Sequence, residues 1–135
     1  MSELKEFSER YFAAWAARDP EAIVAMHSED TQFWTHAGGE PAKGQDAVRA
    51  EFAQIFERFP EFSYETYRVL YGDDFWVLDW ALINGDVRFD CVDIVNVSPE
   101  GLVSRKDTFI DMVQLQATMP EVAGEAAEAV AAERS

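Results

Sequence analysis

Two neighbouring segments of the chain alternate apolar and polar residues, and a two-residue turn signal separates them. The segments are residues 75–84 and 86–97, and Asn84-Gly85 lies at their junction. Alternation with a period of two is typical of strands that bury one face. Asn-Gly favours a tight hairpin because such turns need positive φ angles. The sequence therefore predicts an antiparallel hairpin with a strongly apolar inner face.

One residue on this inner face, Asp93, is acidic. Its neighbours on the same face of the second strand are all apolar: Val87, Phe89, Cys91, Val95 and Val97. A carboxylate in such surroundings is costly unless it is paired or protonated, and groups of this kind cluster at functional sites. With Asn84-Gly85 as a two-residue loop, three inward pairs are expected: Trp80 with Phe89, Leu78 with Cys91, and Trp76 with Asp93.

A second turn signal gives Asp93 a candidate partner. If the Ser-Pro-Glu-Gly sequence at 98–101 forms a four-residue loop, Asp93 lies opposite Lys106 on the next strand. A cross-strand ion pair with Lys106 is then an alternative to a functional role for Asp93, and both interpretations stay open. A bulge in this turn would shift the pairing.

The rest of the chain predicts helices first and strands afterwards. The expected elements are helices over 4–18, from Pro20 to around 27–30, and 45–59, and strands over 31–36, 63–70, 75–84, 86–97 and 102–115. This order predicts an α+β fold with three N-terminal helices against a curved antiparallel sheet. Residues 1–116 are expected to form one domain. The Ala- and Glu-rich tail, 117–135, is expected to be a weak helix or frayed.

Composition restricts the partners of this domain. The net charge of −15, from 26 acidic and 11 basic residues, argues against nucleic acid or an anionic membrane, because both attract clustered Lys and Arg. The single cysteine, Cys91, excludes an internal disulfide, fits a reducing cytoplasm, and is expected to be a core residue. The sequence shows no signal peptide or membrane-spanning run. His27 and His36 do not have metal-ligand spacing, so we expect no metal and no cofactor.

Several short segments, taken in order, resemble the nuclear transport factor 2-like superfamily over residues 4–116. These segments are 11–15, 19–26, 44–48, 93–97, 101–103 and 109–111. The resemblance implies a cone-shaped domain in which three helices and a strongly bent sheet enclose a pocket. Within the superfamily the chain is similar to both the steroid Δ5-3-ketoisomerases and the SnoaL-like polyketide cyclases. Members of this fold range from isomerases to non-catalytic binding modules.

The ketoisomerase pattern implies roles for particular residues. Tyr11 falls on the tyrosine that donates to the oxyanion, and Asp93 falls on the second donor, a carboxyl group kept neutral by its apolar surroundings. Thr35 occupies the position of the general-base aspartate and cannot replace it. His27 and Phe52 stand where two supporting tyrosines are found. Classical ketosteroid isomerisation is therefore not expected.

Asp111 matches an aspartate that recurs in SnoaL-like cyclases and limonene-epoxide-hydrolase-like proteins, where it acts in acid–base chemistry, although the predicted strand turns it outward. The candidate catalytic residues are thus Tyr11, Asp93, His27 and Asp111. The candidate pocket residues are Trp15, Trp34, His36, Phe52, Trp76, Leu78, Cys91, Lys106 and Ile110.

Three hypotheses follow. The first is a cofactor-independent isomerase, cyclase or dehydratase for a small apolar carbonyl compound, with Tyr11 and Asp93 as oxyanion donors and His27 or His36 moving the proton. The second is a non-catalytic protein that binds a small apolar molecule. The third is a homodimeric association module. Its contact would be the half-apolar outer sheet face formed by Phe75, Val77, Ala81, Ile83, Val92, Ile94 and Phe109.

Overall fold

Within residues 2–121, which are those that the computed structural model describes, the chain forms four helices and six strands. The helices are α1 (Ser2–Ala16), α2 (Pro20–Val24), α3 (Gln45–Arg58) and α4 (Met112–Thr118). The strands are β1 (His27–His36), β2 (Ala42–Lys43), β3 (Phe62–Tyr71), β4 (Phe75–Asn84), β5 (Val87–Val97) and β6 (Val103–Ile110). The predicted α+β fold class is confirmed. None of the described helices is long and apolar enough to cross a membrane.

The six strands form one sheet in the order β2-β1-β6-β5-β4-β3. The hairpins between β3 and β6 make that part antiparallel, as predicted. The sheet as a whole is mixed, because β1 pairs with β6 in parallel. No tight turn connects these two strands, so local sequence does not fix their relative direction.

The β4–β5 hairpin differs from the predicted register by two residues. Asn84 pairs with Val87, so the two-residue loop is Gly85-Asp86, and Gly85 has a φ of 59°. Asn84 stays in the strand because it also pairs with β3, and its Oδ1 accepts a hydrogen bond from the Glu61 N–H at 2.7 Å. The observed inward pairs are Leu82 with Phe89, Trp80 with Cys91, and Leu78 with Asp93. A shift of two preserves the inner face, so the predicted face is right although the pairs are not.

The β5–β6 pairing is also shifted, because a bulge follows the turn. Val97 pairs with Val103 and Asn96 pairs with Arg105, which leaves Ser104 as the extra residue. Asp93 therefore lies opposite Thr108 rather than Lys106. Lys106 remains on the same face, diagonal to Asp93 and still within reach of its carboxylate.

The last predicted strand, 102–115, is wrong beyond Ile110. Asp111 ends the strand and caps α4, since its Oδ1 accepts hydrogen bonds from the Val113 and Gln114 N–H groups, both at 3.1 Å. Residues 117 and 118 belong to this helix. Most of the tail for which a weak or frayed helix was predicted lies outside the described residues.

Aromatic side chains fill the space between the sheet and the helices. Tyr11 and Trp15 are one helical turn apart on α1, and both point toward the sheet. Trp15 packs edge-on against Phe52 of α3, with ring centroids 4.9 Å apart, while Tyr11 packs against Trp76 of β4 at 5.6 Å. Burial of each large apolar side chain stabilises the fold by about 1.5–3 kcal/mol.

Candidate ligand pocket

A cavity of about 310 Å³ lies between the inner face of the sheet and helices α1 and α3. Its walls are mostly aromatic and aliphatic, with Tyr11, Trp15, Phe62, Trp76, Trp80 and Phe89 among them. This volume and this apolar lining are typical of sites for small molecules.

Most of the candidate pocket residues line this cavity. The structure places six of them on its wall, together with the candidate catalytic residues Tyr11 and Asp93: Trp15, Trp76, Leu78, Cys91, Lys106 and Ile110. Cys91 is buried, and burial raises the pKa of its thiol. Its thiol is therefore a neutral part of the wall rather than a nucleophile.

Three polar side chains from β5 and β6 meet at the base of the pocket. The Lys106 Nζ donates to Asp93 Oδ2 at 3.0 Å, and the Thr108 hydroxyl donates to Asp93 Oδ1 at 2.8 Å. The Asp93 and Lys106 side chains are only 3% and 6% exposed. Both carboxylate oxygens of Asp93 thus act as acceptors in a buried, hydrogen-bonded ion pair.

The surroundings keep Lys106 protonated. Burial alone would lower its pKa, but the negative charge of Asp93 and the oxygen of Tyr11 outweigh burial and raise the pKa above its usual value. The ammonium group also lies over two aromatic rings, 4.6 Å from the Trp15 centroid and 5.3 Å from the Tyr11 centroid, where cation–π attraction favours the charged form.

This geometry favours one of the two interpretations of Asp93. A neutral carboxyl donor would direct its proton toward a ligand, whereas the observed carboxylate receives protons from Lys106 and Thr108. The arrangement is that of a charged, paired group. The capacity to donate to a ligand oxygen therefore lies with Lys106 and Tyr11.

A chain of hydrogen bonds runs from Tyr11 away from the pocket. The Tyr11 Oη is 2.9 Å from His27 Nε2, and the His27 Nδ1 is 2.8 Å from the Thr31 hydroxyl. Burial, and secondly the charge of Lys106, lower the pKa of His27 to about 3, so its ring is neutral at neutral pH. Burial raises the pKa of Tyr11, against the opposing effect of Lys106. His27 thus supports Tyr11 from behind and is absent from the residues that line the cavity.

Two predicted pocket residues, Trp34 and His36, lie on the opposite side of the sheet. Along β1, Phe33 and Thr35 line the cavity, so their neighbours in the alternation face outward. His36 pairs with Asp107 at 2.7 Å through Nε2 and stacks on Phe109, with ring centroids 4.1 Å apart. The turn that follows His36 reaches the cavity through Ala37 and Gly38.

Phe52 and Asp111 also lie away from the cavity wall. Phe52 is fully buried in the layer behind the wall, packed against Trp15 and His27. Asp111 is exposed and its carboxylate caps α4. Its position gives it no contact with a ligand in the cavity.

Thr108 is the site residue that sequence reasoning missed. It follows Lys106 by two residues and therefore shares its face, which was the available signal. Its role depends on the bulge at Ser104, since only the shifted register brings it opposite Asp93.

Within residues 2–121 no group of His, Cys, Asp and Glu side chains is arranged to hold a metal ion.

The helices and the curved sheet that surround this cavity give the chain a nuclear transport factor 2-like fold. Residues 8–106 match the family model of the SnoaL-like domain, and the chain belongs to this family. No functionally curated protein matches the sequence.

Solved structures show the same fold at low sequence identity. SalBIII, an epoxide hydrolase/cyclase-like enzyme in pyran ring formation in the polyether salinomycin, superposes with a TM-score of 0.73 and 21% identity, over 84% of this chain and 94% of its own. A SnoaL-like protein of unknown function from Burkholderia thailandensis E264 superposes with a TM-score of 0.71 and 18% identity, over 82% of this chain and 96% of its own. A protein with a cystatin-like fold from Silicibacter pomeroyi DSS-3 superposes with a TM-score of 0.71 and 20% identity, over 94% of this chain and 84% of its own. At these identities the similarity establishes the fold alone.

Proposed function

We propose that the chain is a cofactor-independent enzyme of the isomerase, cyclase or dehydratase type that acts on a small apolar carbonyl compound. The observation that carries this proposal is the Asp93–Lys106 pair beside Tyr11 at the base of an apolar cavity. Proton donors and a carboxylate in water-poor surroundings are what enolate chemistry needs, because charges act strongly there. SalBIII, whose description includes cyclase-like chemistry, shares the fold and lends support.

In the proposed reaction the ligand's carbonyl oxygen faces Lys106 and Tyr11. Asp93 accepts a proton from the carbon next to the carbonyl, and the resulting enolate oxygen is stabilised by the Lys106 ammonium and the Tyr11 hydroxyl. Return of the proton from Asp93 to a different carbon completes an isomerisation. The Thr31 hydroxyl can donate a hydrogen bond to Nδ1 of His27, so the neutral imidazole can hold its proton on Nε2. This Nε2–H can then donate to the Tyr11 oxygen, which leaves the Tyr11 proton for the ligand.

Exchange of ketone protons tests this proposal without knowledge of the natural substrate. In deuterium oxide the protein is expected to accelerate the replacement of the methyl protons of 2-acetylnaphthalene, as followed by proton NMR. Tyr11→Phe removes an oxyanion donor and is expected to slow the exchange about 100-fold or more, and Asp93→Asn is expected to slow it at least as much.

Tyr67 provides the matched control for this experiment, because it is 46% exposed and lies on the outer sheet face. Tyr67→Phe is expected to leave the exchange rate unchanged. Binding of the ketone without any accelerated exchange would contradict the enzyme proposal and favour the alternative, a non-catalytic ligand-binding protein.

We also propose that the chain forms a homodimer through the outer face of the sheet. Four large apolar residues there are 36–42% exposed: Phe75, Val92, Ile94 and Phe109. Six charged residues on this face form three ion pairs: Arg68 with Asp79, Arg88 with Glu65, and Arg105 with Asp107. Asp90, also on this face, accepts hydrogen bonds from Tyr67 and Gln114. In a chain of net charge −15, a face whose charges mostly form ion pairs repels a second copy less than an acidic face would. With Cys91 as a buried free thiol, we place this dimer in the cytoplasm.

Substitution at the centre of this face tests the dimer. The unmodified chain is expected to sediment as a dimer and Ile94→Arg as a monomer, because the substitution puts an unpaired charge into the contact. Val113→Arg is the control, since Val113 is 79% exposed but lies on α4, and it is expected to stay dimeric. A monomeric unmodified chain would contradict the proposal.

A further inference from the structure

We infer that the Asp93–Lys106 pair makes the pocket select ligands whose inner end is an uncharged oxygen acceptor and reject ligands of the same shape that carry a charge there. This inference rests on the proposed function, because it concerns ligands of the same pocket. It adds a rule on ligand charge that enolate chemistry alone does not require.

The first argument is that the two charges at the base of the pocket already compensate each other. Lys106 Nζ lies 3.0 Å from Asp93 Oδ2, and it also lies 4.6 Å and 5.3 Å from the ring centroids of Trp15 and Tyr11. An incoming carboxylate would approach Lys106 with Asp93 beside it. Two like charges close together in apolar surroundings are strongly unfavourable.

The second argument is that the rest of the inner wall offers no other charge. Apart from this pair, the charged residues among those lining the cavity are Glu51 and Arg58, both exposed on α3 at the mouth. The hydroxyl groups near the base, those of Tyr11, Thr35 and Thr108, are neutral. An ion at the inner end would therefore lose its hydration without gaining a counter-charge.

An uncharged carbonyl oxygen meets neither penalty. It can accept a hydrogen bond from a Lys106 proton that Asp93 does not use, or from the Tyr11 hydroxyl. Negative charge then appears on that oxygen only during reaction, when the nearby ammonium group stabilises it. The pocket thereby binds the reacting state better than the ground state.

Three compounds with the same ring and nearly the same shape test this inference at pH 7 by calorimetry. They are 2-acetylnaphthalene, which is neutral, 2-naphthoate, which is anionic, and 1-(2-naphthyl)ethylammonium, which is cationic. The unmodified protein is expected to bind the ketone at least tenfold more tightly than either ion. Equal affinity for all three, or tighter binding of an ion, would overturn the inference while leaving ligand binding intact.

Two single variants provide opposite controls. Asp93→Asn leaves the Lys106 charge uncompensated, so the affinity for naphthoate relative to the ketone is expected to rise at least tenfold. Lys106→Met leaves the Asp93 charge, so the ammonium compound is expected to gain instead. Thermal unfolding shows which of the two variants fold. One folded variant is enough for the test, because an unchanged preference for the ketone over the ions in that variant would overturn the inference. If none of the compounds binds the unmodified protein, the proposed function fails and the inference fails with it.

Discussion

Replacement of Asp93 by leucine is expected to lower the free energy of unfolding by about 3–5 kcal/mol. The substitution leaves the Lys106 ammonium 6% exposed and without its partner carboxylate, and an uncompensated buried charge is among the most destabilising changes available to a folded protein. Urea denaturation followed by tryptophan fluorescence measures the effect.

The double variant Asp93→Leu/Lys106→Met separates the ion pair from general damage to the core. It removes both charges and fills the space with apolar groups, so it is expected to recover most of the lost stability. The Arg68–Asp79 pair, at 3.1 Å but on the surface, gives the comparison. Asp79→Asn is expected to cost less than about 1 kcal/mol. A similar cost for Asp93→Leu and Asp79→Asn would contradict a buried pair.

Stability is expected to fall in acid because of His27. Its pKa is about 3 in the folded protein and about 6.5 in the unfolded chain. Between pH 3 and pH 6.5, therefore, His27 is protonated in the unfolded chain but not in the folded protein. The His27 contribution is therefore present above pH 6.5 and is lost as the pH falls toward 3, at about 1.4 kcal/mol per pH unit. By pH 4 this amounts to about 3 kcal/mol.

Two substitutions assign this acid dependence to one histidine. His27→Gln keeps a hydrogen-bonding side chain near Tyr11 but cannot titrate, so the decrease in stability between pH 6.5 and 4 is expected to become much smaller. His36→Gln changes the other histidine, on the outer sheet face, and is expected to keep the decrease. Urea unfolding over this pH range decides between them, and an equal decrease in His27→Gln and the unmodified protein would contradict a buried neutral His27.

The inner face of the hairpin could be predicted from the sequence because alternation survives errors of register. The predicted and observed β4–β5 pairings differ by two residues, yet Asp93 remains inside in both. Its pairing with Lys106 was also predictable as a contact, although not as a directly opposite pair. A bulge in this turn was considered, but its presence at Ser104 depends on how the turn packs, which local sequence does not determine.

Contacts between distant parts of the chain could not be read in the same way. The parallel β1–β6 pairing joins strands far apart in sequence, and it sets which residues of β1 face outward. Trp34 and His36 were misplaced for this reason. For α4, by contrast, a signal was present, because Asp111 followed three residues later by Gln114 is a capping pattern. The apolar residues around it suggested a longer strand instead.

The charge and position of Lys106 can be observed directly by nitrogen-15 NMR of the lysine ammonium groups. The chain has three lysines, Lys5, Lys43 and Lys106, and the first two are exposed. We expect one slowly exchanging, protonated ammonium signal at pH 7 that disappears in Lys106→Met and shifts when 2-acetylnaphthalene is added. A Lys106 signal that exchanges as fast as those of Lys5 and Lys43 and does not respond to the ketone would contradict a buried ion pair at the base of a ligand pocket.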